Sequence, residues 1–412
     1  MDNDPISRLL GRWESGGAQP QFGQRFAEEA LGRRADMAAA NLTTPKRARG
    51  TKEEEMTQQR EDGRARIKVV GCGGGGGNAV NRMISASLRG VQFIAVNTDL
   101  QALDRCQADT KVNIGRKLTR GLGSGGDWTK GRDAADESRT ELAEILKDTD
   151  MVFITAGMGG GTGTGSSPVV AEIAKQEGAL TIGVVTKPFS FEGKVRQDTA
   201  EEGVRNLKDK VDALIIIPND RLAQVVDHKT TLEDAFRIAD DVLRQGVQGI
   251  ADLIVNPGVI NLDFADVKAV MSDAGEALMG IGFGSGDTRA EDAAKQAVSS
   301  PLLETSIDGA RGILFNITAG RDITLHEIQR AAGIVRASAD PGANIIFGVV
   351  NDERMQGEVK VTVIATGFAN VKKHHEAEIA TYVQEPVVDA KPQLTADEFD
   401  DINIPAFLRN RI

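Results

Sequence analysis

Only two of the 412 residues are cysteine, Cys72 and Cys106. That is too few for a disulfide framework or a zinc site, so the expectation is two buried, reduced thiols. Histidine is nearly as scarce: His228, His326, His374 and His375 are all there are. Aromatic residues make up 4% of the chain, and tyrosine occurs once, at Tyr382, which excludes schemes that need a tyrosine in the folded body. Basic residues are outnumbered, 49 Lys and Arg against 60 Asp and Glu, for a net charge of −11. Duplex nucleic acid demands clustered cations to neutralise its phosphates and is excluded as a main partner. No run approaches the roughly 18 apolar residues of a membrane span, and there is no apolar signal core at the start. Direct membrane insertion is therefore not expected, and the expected location is the cytoplasm. What remains to do chemistry is carboxylates, glycines and backbone.

The length exceeds one ordinary core, so two domains with tails are expected. Residues 1–66 mix Arg, Glu, Gln, Gly and Ala with few large apolar side chains, a composition that buries little surface and predicts a disordered extension. From Ile67 the chain alternates strand and helix patterns. Strands are expected at Ile67 to Val70, Val91 to Val96, Met151 to Ala156, Leu180 to Thr186 and Ala213 to Pro218. Such alternation predicts an α/β fold: a doubly wound parallel sheet over 67–230 with its ligand at the carboxyl ends of the strands. Thr231 to Ile254 carries a long helical pattern, a central helix between domains. A second, smaller α/β unit is expected over 255–368, with strands near Gly312 to Thr318, Asn344 to Val350 and Val359 to Ala365 and helices over Ala290 to Val298 and Leu325 to Ala337.

Beyond Gly367 the chain turns polar, and 369–399 reads as a flexible linker spanning roughly 30 Å. Residues 400–412 end it with an apolar cluster. Ile404, Phe407 and Leu408 fall on one helical face, Pro405 suits a first turn, and Arg409 follows as the helix dipole prefers. This reads as a helix that docks in a partner's groove.

Two glycine stretches dominate the first unit. Gly157 to Gly165 holds six glycines in nine residues, between the apolar run Met151-Val152-Phe153-Ile154 and an apolar helix pattern. Gly71-Cys72-Gly73-Gly74-Gly75-Gly76-Gly77 follows the first strand and opens into a helix expected to begin near Asn78. Bare backbone at a helix start presents free N–H groups and the positive dipole end, so an anion, most simply a phosphate chain, is expected there. Gly71, Gly73 and Gly76 fit the dinucleotide pattern G-x-G-x-x-G with Asp99 ending the next strand. The second stretch is foreign to that pattern, and two glycine loops facing each other suit a triphosphate. No G-x-x-x-x-G-K-[ST] occurs, which excludes an ordinary P-loop.

The run Gly159-Gly160-Gly161-Thr162-Gly163-Thr164-Gly165 resembles the signature of the tubulin/FtsZ superfamily. Gly73 to Asn78, Lys187 to Gly193, Ile217-Pro218-Asn219-Asp220 and Asn261 to Val267 are similar to the FtsZ family, the bacterial cell-division GTPases, and the likeness spans about 67–368. The resemblance implies a GTPase that polymerises head-to-tail into protofilaments and scaffolds the cytoplasmic division ring at mid-cell, beneath the membrane. GTP or GDP with Mg²⁺ would be bound, and no protein ligand for the metal is assigned. Gly74, Gly75, Gly76, Gly77, Asn78, Gly161, Thr162 and Gly163 match the phosphate-contacting positions. Glu192 and Arg196 match ribose and phosphate contacts, although spacing alone suits an exposed salt bridge. Asn219 and Asp240 match the guanine readers, since a carboxylate can accept from both donors of guanine and adenine offers no such pair. Asp241 stands beside Asp240 and leaves open which carboxylate reads. Phe236, one turn earlier, can stack on the base or pack in the core.

Asp263 and Asp266 are the catalytic candidates the family implies, with Asn261 positioning their loop. At i, i+3 of a helix start they are equally readable as caps. In the family this loop reaches the γ-phosphate of the neighbouring subunit, so the active site would be shared between adjacent copies. The ending Asp401 to Arg409 resembles the family's terminal peptide, which implies division proteins and membrane tethers as partners, with binding through Ile404, Pro405, Phe407, Leu408 and Arg409. The chain departs from the expected pattern at Cys72, where Val is usual, and at Asp127-Trp128, where Asn-Pro is usual. Trp128 is readable as a lateral-contact residue or as a packed ring, and the packed ring is the preferred reading.

Overall fold

The computed structural model describes residues 65–368 except 225, 227–229, 256–261 and 304. Residues 1–64 of the expected N-terminal extension, His228, Asn261, the linker and the terminal peptide with Ile404, Pro405, Phe407, Leu408 and Arg409 lie outside the described residues, whereas Arg66, the last residue of that expected extension, is described and donates to Asp150.

In chain order the elements are β1 (Ile67–Cys72), α1 (Gly73–Ser85), β2 (Val91–Asn97), α2 (Leu100–Arg105), β3 (Thr110–Asn113), α3 (Arg116–Thr119), α4 (Trp128–Glu137), α5 (Arg139–Leu146), β4 (Met151–Gly157) and α6 (Thr162–Gln176). There follow β5 (Leu180–Lys187), a 3₁₀ turn (Ser190–Glu192), α7 (Lys194–Lys208), β6 (Ala213–Pro218), α8 (Asn219–Ala223) and α9 (Leu232–Val255). The rest are α10 (Phe264–Met271), β7 (Gly275–Ser285), α11 (Arg289–Val298), β8 (Gly312–Ala319), α12 (Leu325–Ala337), β9 (Asn344–Asn351), a 3₁₀ turn (Glu353–Met355) and β10 (Glu358–Thr366).

The ten strands form one sheet in the order β3-β2-β1-β4-β5-β6-β7-β10-β8-β9. From β3 to β7 every ladder is parallel. β10 then runs antiparallel to both β7 and β8, and β9 lies parallel to β8. The expected α/β architecture is present, with two antiparallel ladders in its second half that sequence patterning does not reveal.

Helices cover both faces of the parallel strands, and each strand divides its residues between them with period two. Val69, Phe153, Val184 and Ile215 point to the side of α1 and α9, with Val80, Met83, Val242 and Val247. Val70, Val152, Ile154 and Leu214 point to the other side, with Ala134 of α4, Leu142 of α5, Ile173 of α6 and Leu207 of α7. Strands buried on both faces read as unbroken apolar runs, which is why β1, β4 and β5 are so legible.

The central helix is longer than average. α9 has 24 residues, about 36 Å at 1.5 Å per residue. It lies against β5 and also against the second half of the sheet: Gly246 touches Val184 and Met279, and Gly249 touches Thr362. Its first turns stand near the carboxyl end of β5, where Phe236 meets Phe189 edge-on at 5.5 Å. Its last residue, Val255, abuts Gly90 just before β2. It therefore runs antiparallel to the strands, from their carboxyl edge to their amino edge.

Two boundaries differ from expectation. α1 begins at Gly73 rather than near Asn78, so the glycines are the first turn of the helix and not a loop before it. β7, unforeseen, is an 11-residue strand rich in glycine. Its alternate glycines let α11 rest on bare backbone: an ideal Cβ on Gly280, Gly282 or Gly284 would fall within 2.0 Å of the carbonyl oxygens of Ala297, Ala293 or Arg289.

Candidate nucleotide site

β1 and β4 are parallel neighbours in register, with Cys72 opposite Ala156, so the helices that follow them start side by side. The two glycine segments touch. A Cβ on Gly73 would lie 2.7 Å from the amide nitrogen of Gly163, and one on Gly75 would lie 3.2 Å from that of Gly157. Neither helix has a side-chain cap: Cys72 precedes α1 and Gly161 precedes α6 without one. By contrast, Asp99 caps α2 by accepting from Gln101 and Ala102, and Asp127 caps α4 by accepting from Thr129 and Lys130. Two uncapped helix starts in contact concentrate unpaired N–H groups and positive dipole ends in one place.

The glycines divide by role. Gly74 and Asn78 are exposed and Gly75 and Gly77 half-buried, and a Cβ on Gly74, Gly77 or Gly160 would meet nothing within 4 Å. These positions line an open surface. Gly76 is turned inward, where a Cβ would lie 2.4 Å from the carbonyl oxygen of Thr155. Gly161 and Gly165 are walled by α4 and the loop before it, with the carbonyls of Asp127 and Trp128 at 2.8 and 2.0 Å from their ideal Cβ positions. Part of the glycine signature thus serves close packing of α4 on α6. Trp128 opens α4 and carries the guanidinium of Arg132 over its ring at 5.7 Å.

Thr162 begins α6 and is buried. Its hydroxyl lies 2.8 Å from that of Thr98, at the end of β2, and 3.2 Å from that of Ser124. Ser124 belongs to Gly121-Leu122-Gly123-Ser124-Gly125-Gly126, a third glycine loop at the same end of the sheet that sequence reading missed. Four glycines in six residues was the available signal.

Beside this centre, Glu192 accepts from the Phe189 amide at 2.8 Å and from Arg196 at 2.7 Å. The Arg196 carbonyl abuts Gly159, which sets this ion pair at the rim of the second glycine segment. Asn219 follows β6, is 5% exposed, and its Oδ1 is buried with no hydrogen-bond partner among the described residues. Asp220 accepts from both the amide and the hydroxyl of Ser190, tying α8 to the Phe189–Glu192 turn. Phe191 stacks on Phe189 at 5.1 Å, and Phe236 is 39% exposed.

Asp240 and Asp241 are separated by their surroundings. Both Asp241 oxygens point into the core, where they accept from Arg244 at 2.6 and 3.0 Å and from Gln245 at 2.7 Å. Asp240 lies one turn after Phe236 and is half-buried. Burial pushes its carboxyl up to about 7; the Arg82 charge opposes that shift and Asp241 adds to it. Cys72 is buried beneath the centre, and desolvation raises its thiol to about 12, so it stays a protonated, inert apolar group.

Asp263 and Asp266 are exposed at the start of α10, and Asp263 caps that helix by accepting from the Ala265 amide at 3.2 Å. They follow the far end of α9. Phe236 and Val255 are 19 residues apart on this helix, about 28 Å along its axis. The segment after α10 is fixed at the amino edge of the sheet: Asp273 pairs with Lys175 at the end of α6, and Gly275 donates to the Asp212 carbonyl just before β6. The fold gathers the glycine segments, Glu192, Arg196, Asn219, Phe236 and Asp240 at one edge and holds Asp263 and Asp266 at the other.

Residues 66–227 match the GTPase domain of the tubulin/FtsZ family, and residues 275–369 match the C-terminal domain of the FtsZ family. A solved FtsZ dimer from M. jannaschii is 47% identical, with a TM-score of 0.72 over 77% of this chain and 92% of that one. The chain belongs to the FtsZ family. A substituted FtsZ from the same organism is 46% identical, with a TM-score of 0.73 over 77% of this chain and 96% of that one. CetZ2 from Haloferax volcanii, solved as a GTPγS-bound protofilament, shares the fold at 20% identity, with a TM-score of 0.62 over 77% of this chain and 99% of that one. Guanine-nucleotide binding and GTP hydrolysis are properties of the family whose GTPase domain this chain carries. Among the described residues no helix is long and apolar enough to cross a membrane.

Proposed function

We propose that this chain assembles head-to-tail with copies of itself and hydrolyses GTP at sites shared by successive copies, forming filaments that scaffold the cell-division ring. The observation that carries this is the separation of its parts. The surface suited to a triphosphate lies at the carboxyl edge of the sheet, and the exposed acids Asp263 and Asp266 follow the far end of α9, which covers about 28 Å between Phe236 and Val255. One copy cannot apply its own acids to its own nucleotide. A second copy stacked in the same orientation brings its α10 over the first copy's glycine segments. The contact is heterologous, so it repeats without closing. Phe191 and Val195, 65% and 80% exposed, give the nucleotide edge apolar area for that contact. The FtsZ dimer of M. jannaschii and the CetZ2 protofilament of Haloferax volcanii are consistent with self-association.

GTP lies with its phosphates on the first turns of α1 and α6, where Gly74, Gly75, Thr162 and Gly163 offer backbone N–H groups, while Gly77 and Asn78, whose N–H groups bond within the helix, line the surface beside them. Gly76 and Gly161 keep the backbones close enough to do so. Glu192 and Arg196 border the ribose and phosphates. Asp240 reads the guanine, because the oxygens of Asp241 are already held by Arg244 and Gln245. The orphaned Oδ1 of Asn219 suits a donor on the base, and Phe236 covers the ring. Asp263 and Asp266 of the adjoining copy orient and polarise the attacking water, with Asn261 shaping their loop.

Mg²⁺ would enter with the triphosphate and offset its charge. The peptide Ile404, Pro405, Phe407, Leu408 and Arg409 engages division proteins and membrane tethers, which keeps the filament on the cytoplasmic side of the membrane at mid-cell.

Phosphate release from GTP, measured against protein concentration, tests the shared site. The rate per copy should be near zero below a threshold concentration and rise above it. A rate strictly proportional to protein from the lowest concentration would refute a site made by two copies.

A further inference from the structure

The glycine segments at 71–78, 121–126 and 157–165 contain no Lys or Arg, and the chain as a whole is acidic, with a net charge of −11. Backbone N–H groups supply only partial charges to a triphosphate, and the field of the whole protein opposes it. Arg196, the cation at the rim, is held by Glu192 at 2.7 Å. Beyond the Mg²⁺ that would enter with the nucleotide, a cation supplied by the chain would further favour the terminal phosphate, and one residue is placed to supply it.

Arg120 ends α3 and leads directly into the third glycine loop. It is exposed, and no ion pair holds its guanidinium among the described residues, whereas its neighbours Arg116 and Lys130 pair with Glu141 and Asp127. Its backbone is left-handed, with φ 56° and ψ 31°, a conformation unfavourable for a non-glycine residue. The loop it introduces is anchored at both ends. The Gly121 carbonyl accepts from Leu100 at 3.1 Å, just past β2, and Ser124 reaches the Thr162 hydroxyl at the start of α6. Arg120 is four residues, at most about 14 Å of chain, from Ser124, whose hydroxyl contacts the uncapped start of α6.

We infer that Arg120 is a specificity-determining residue for the nucleotide, its guanidinium pairing with the terminal phosphate of GTP and so favouring the triphosphate over the diphosphate. The planar fork of arginine matches phosphate oxygens bidentately. Because the loop carrying it is bonded to Thr162, the charge is delivered by the same segment that forms the phosphate surface. This rests on GTP occupying the α1 and α6 starts as proposed above.

The test measures GTP and GDP affinity for full-length wild type, Arg120→Ala, Arg120→Gly and Arg120→Lys, at concentrations below the assembly threshold so that no second copy contributes. Arg120→Gly relieves the left-handed backbone and controls for folding. Both Ala and Gly variants should lose GTP affinity on the order of tenfold while GDP affinity stays within about twofold, with Lys recovering part of the loss. Equal losses for GTP and GDP would overturn the assignment to the terminal phosphate. Unchanged GTP affinity with a raised assembly threshold would overturn it too, assigning Arg120 to the adjoining copy. Failure of the wild type to bind GTP at all would instead remove the proposed nucleotide site, a distinguishable result.

Discussion

Lowering the pH should weaken guanine-nucleotide binding through Asp240. The carboxyl sits at about 7 in the nucleotide-free protein because it is buried beside Asp241 with only the Arg82 charge in opposition. Only the carboxylate can accept from both guanine donors, so binding must expel the proton, and affinity falls by a factor of 1 + 10^(pKa − pH). Relative to pH 8 the loss is roughly twofold at pH 7 and tenfold at pH 6, the latter about 1.4 kcal/mol. The sign for folding follows from the same shift. The folded chain holds this proton more tightly than the unfolded chain, so the group's contribution to stability declines as pH rises from about 4 to 7. Nucleotide affinity and intrinsic stability therefore move oppositely over that window. Titrating GDP into protein below the assembly threshold from pH 5.5 to 8, with wild type beside Asp240→Asn, isolates the side chain, because protonation of the nucleotide's own phosphates affects both proteins alike. Parallel affinity curves for the two would refute the reasoning.

Asp263→Ala should retain nucleotide affinity while losing turnover, and mixing it with wild type should depress the rate below simple dilution, as read by phosphate release; a rate falling only in proportion to the added variant would count against acids given to a neighbour. Its lost cap should lower stability by about 0.5–2 kcal/mol, measurable by denaturant titration. Gly282→Ala should destabilise by about 1–3 kcal/mol in the same titration, because the new Cβ would lie 2.0 Å from the Ala293 carbonyl unless α11 moves off the sheet; an unchanged midpoint would show that α11 is not seated on the β7 backbone.

Much of the architecture was legible because burial on both faces leaves unmistakable apolar runs. β4 is buried through six of its seven residues, all apolar but Thr155, and α9, expected over 231–254, spans Leu232–Val255. β7 was illegible for the opposite reason: its glycines exist so that a helix can lie on them, and glycine reads as a turn when only propensity is weighed. The start of α1 was misplaced for a related cause. Five consecutive glycines disfavour a free helix, and it is the contact of Gly73 and Gly76 with α6 and β4 that holds them helical. The choice between Asp240 and Asp241 was open in the sequence, since adjacent identical residues differ only in which way the helix turns them. The loop at 121–126 was passed over because its importance lies in one hydroxyl contact, Ser124 with Thr162, and no pattern along the chain encodes a meeting of residues 38 apart.

The opposed ends of α9 have an arithmetical outcome for any row of these molecules. Each member would be served by one neighbour and would serve the other, so a row of n members holds n nucleotides but only n − 1 complete cutting sites. The member whose pocket faces outward keeps its triphosphate intact until a newcomer lands on it. The two tips of the row would thus carry different chemistry, which gives the row a direction and marks the uncovered pocket as the tip where fresh material is protected from decay.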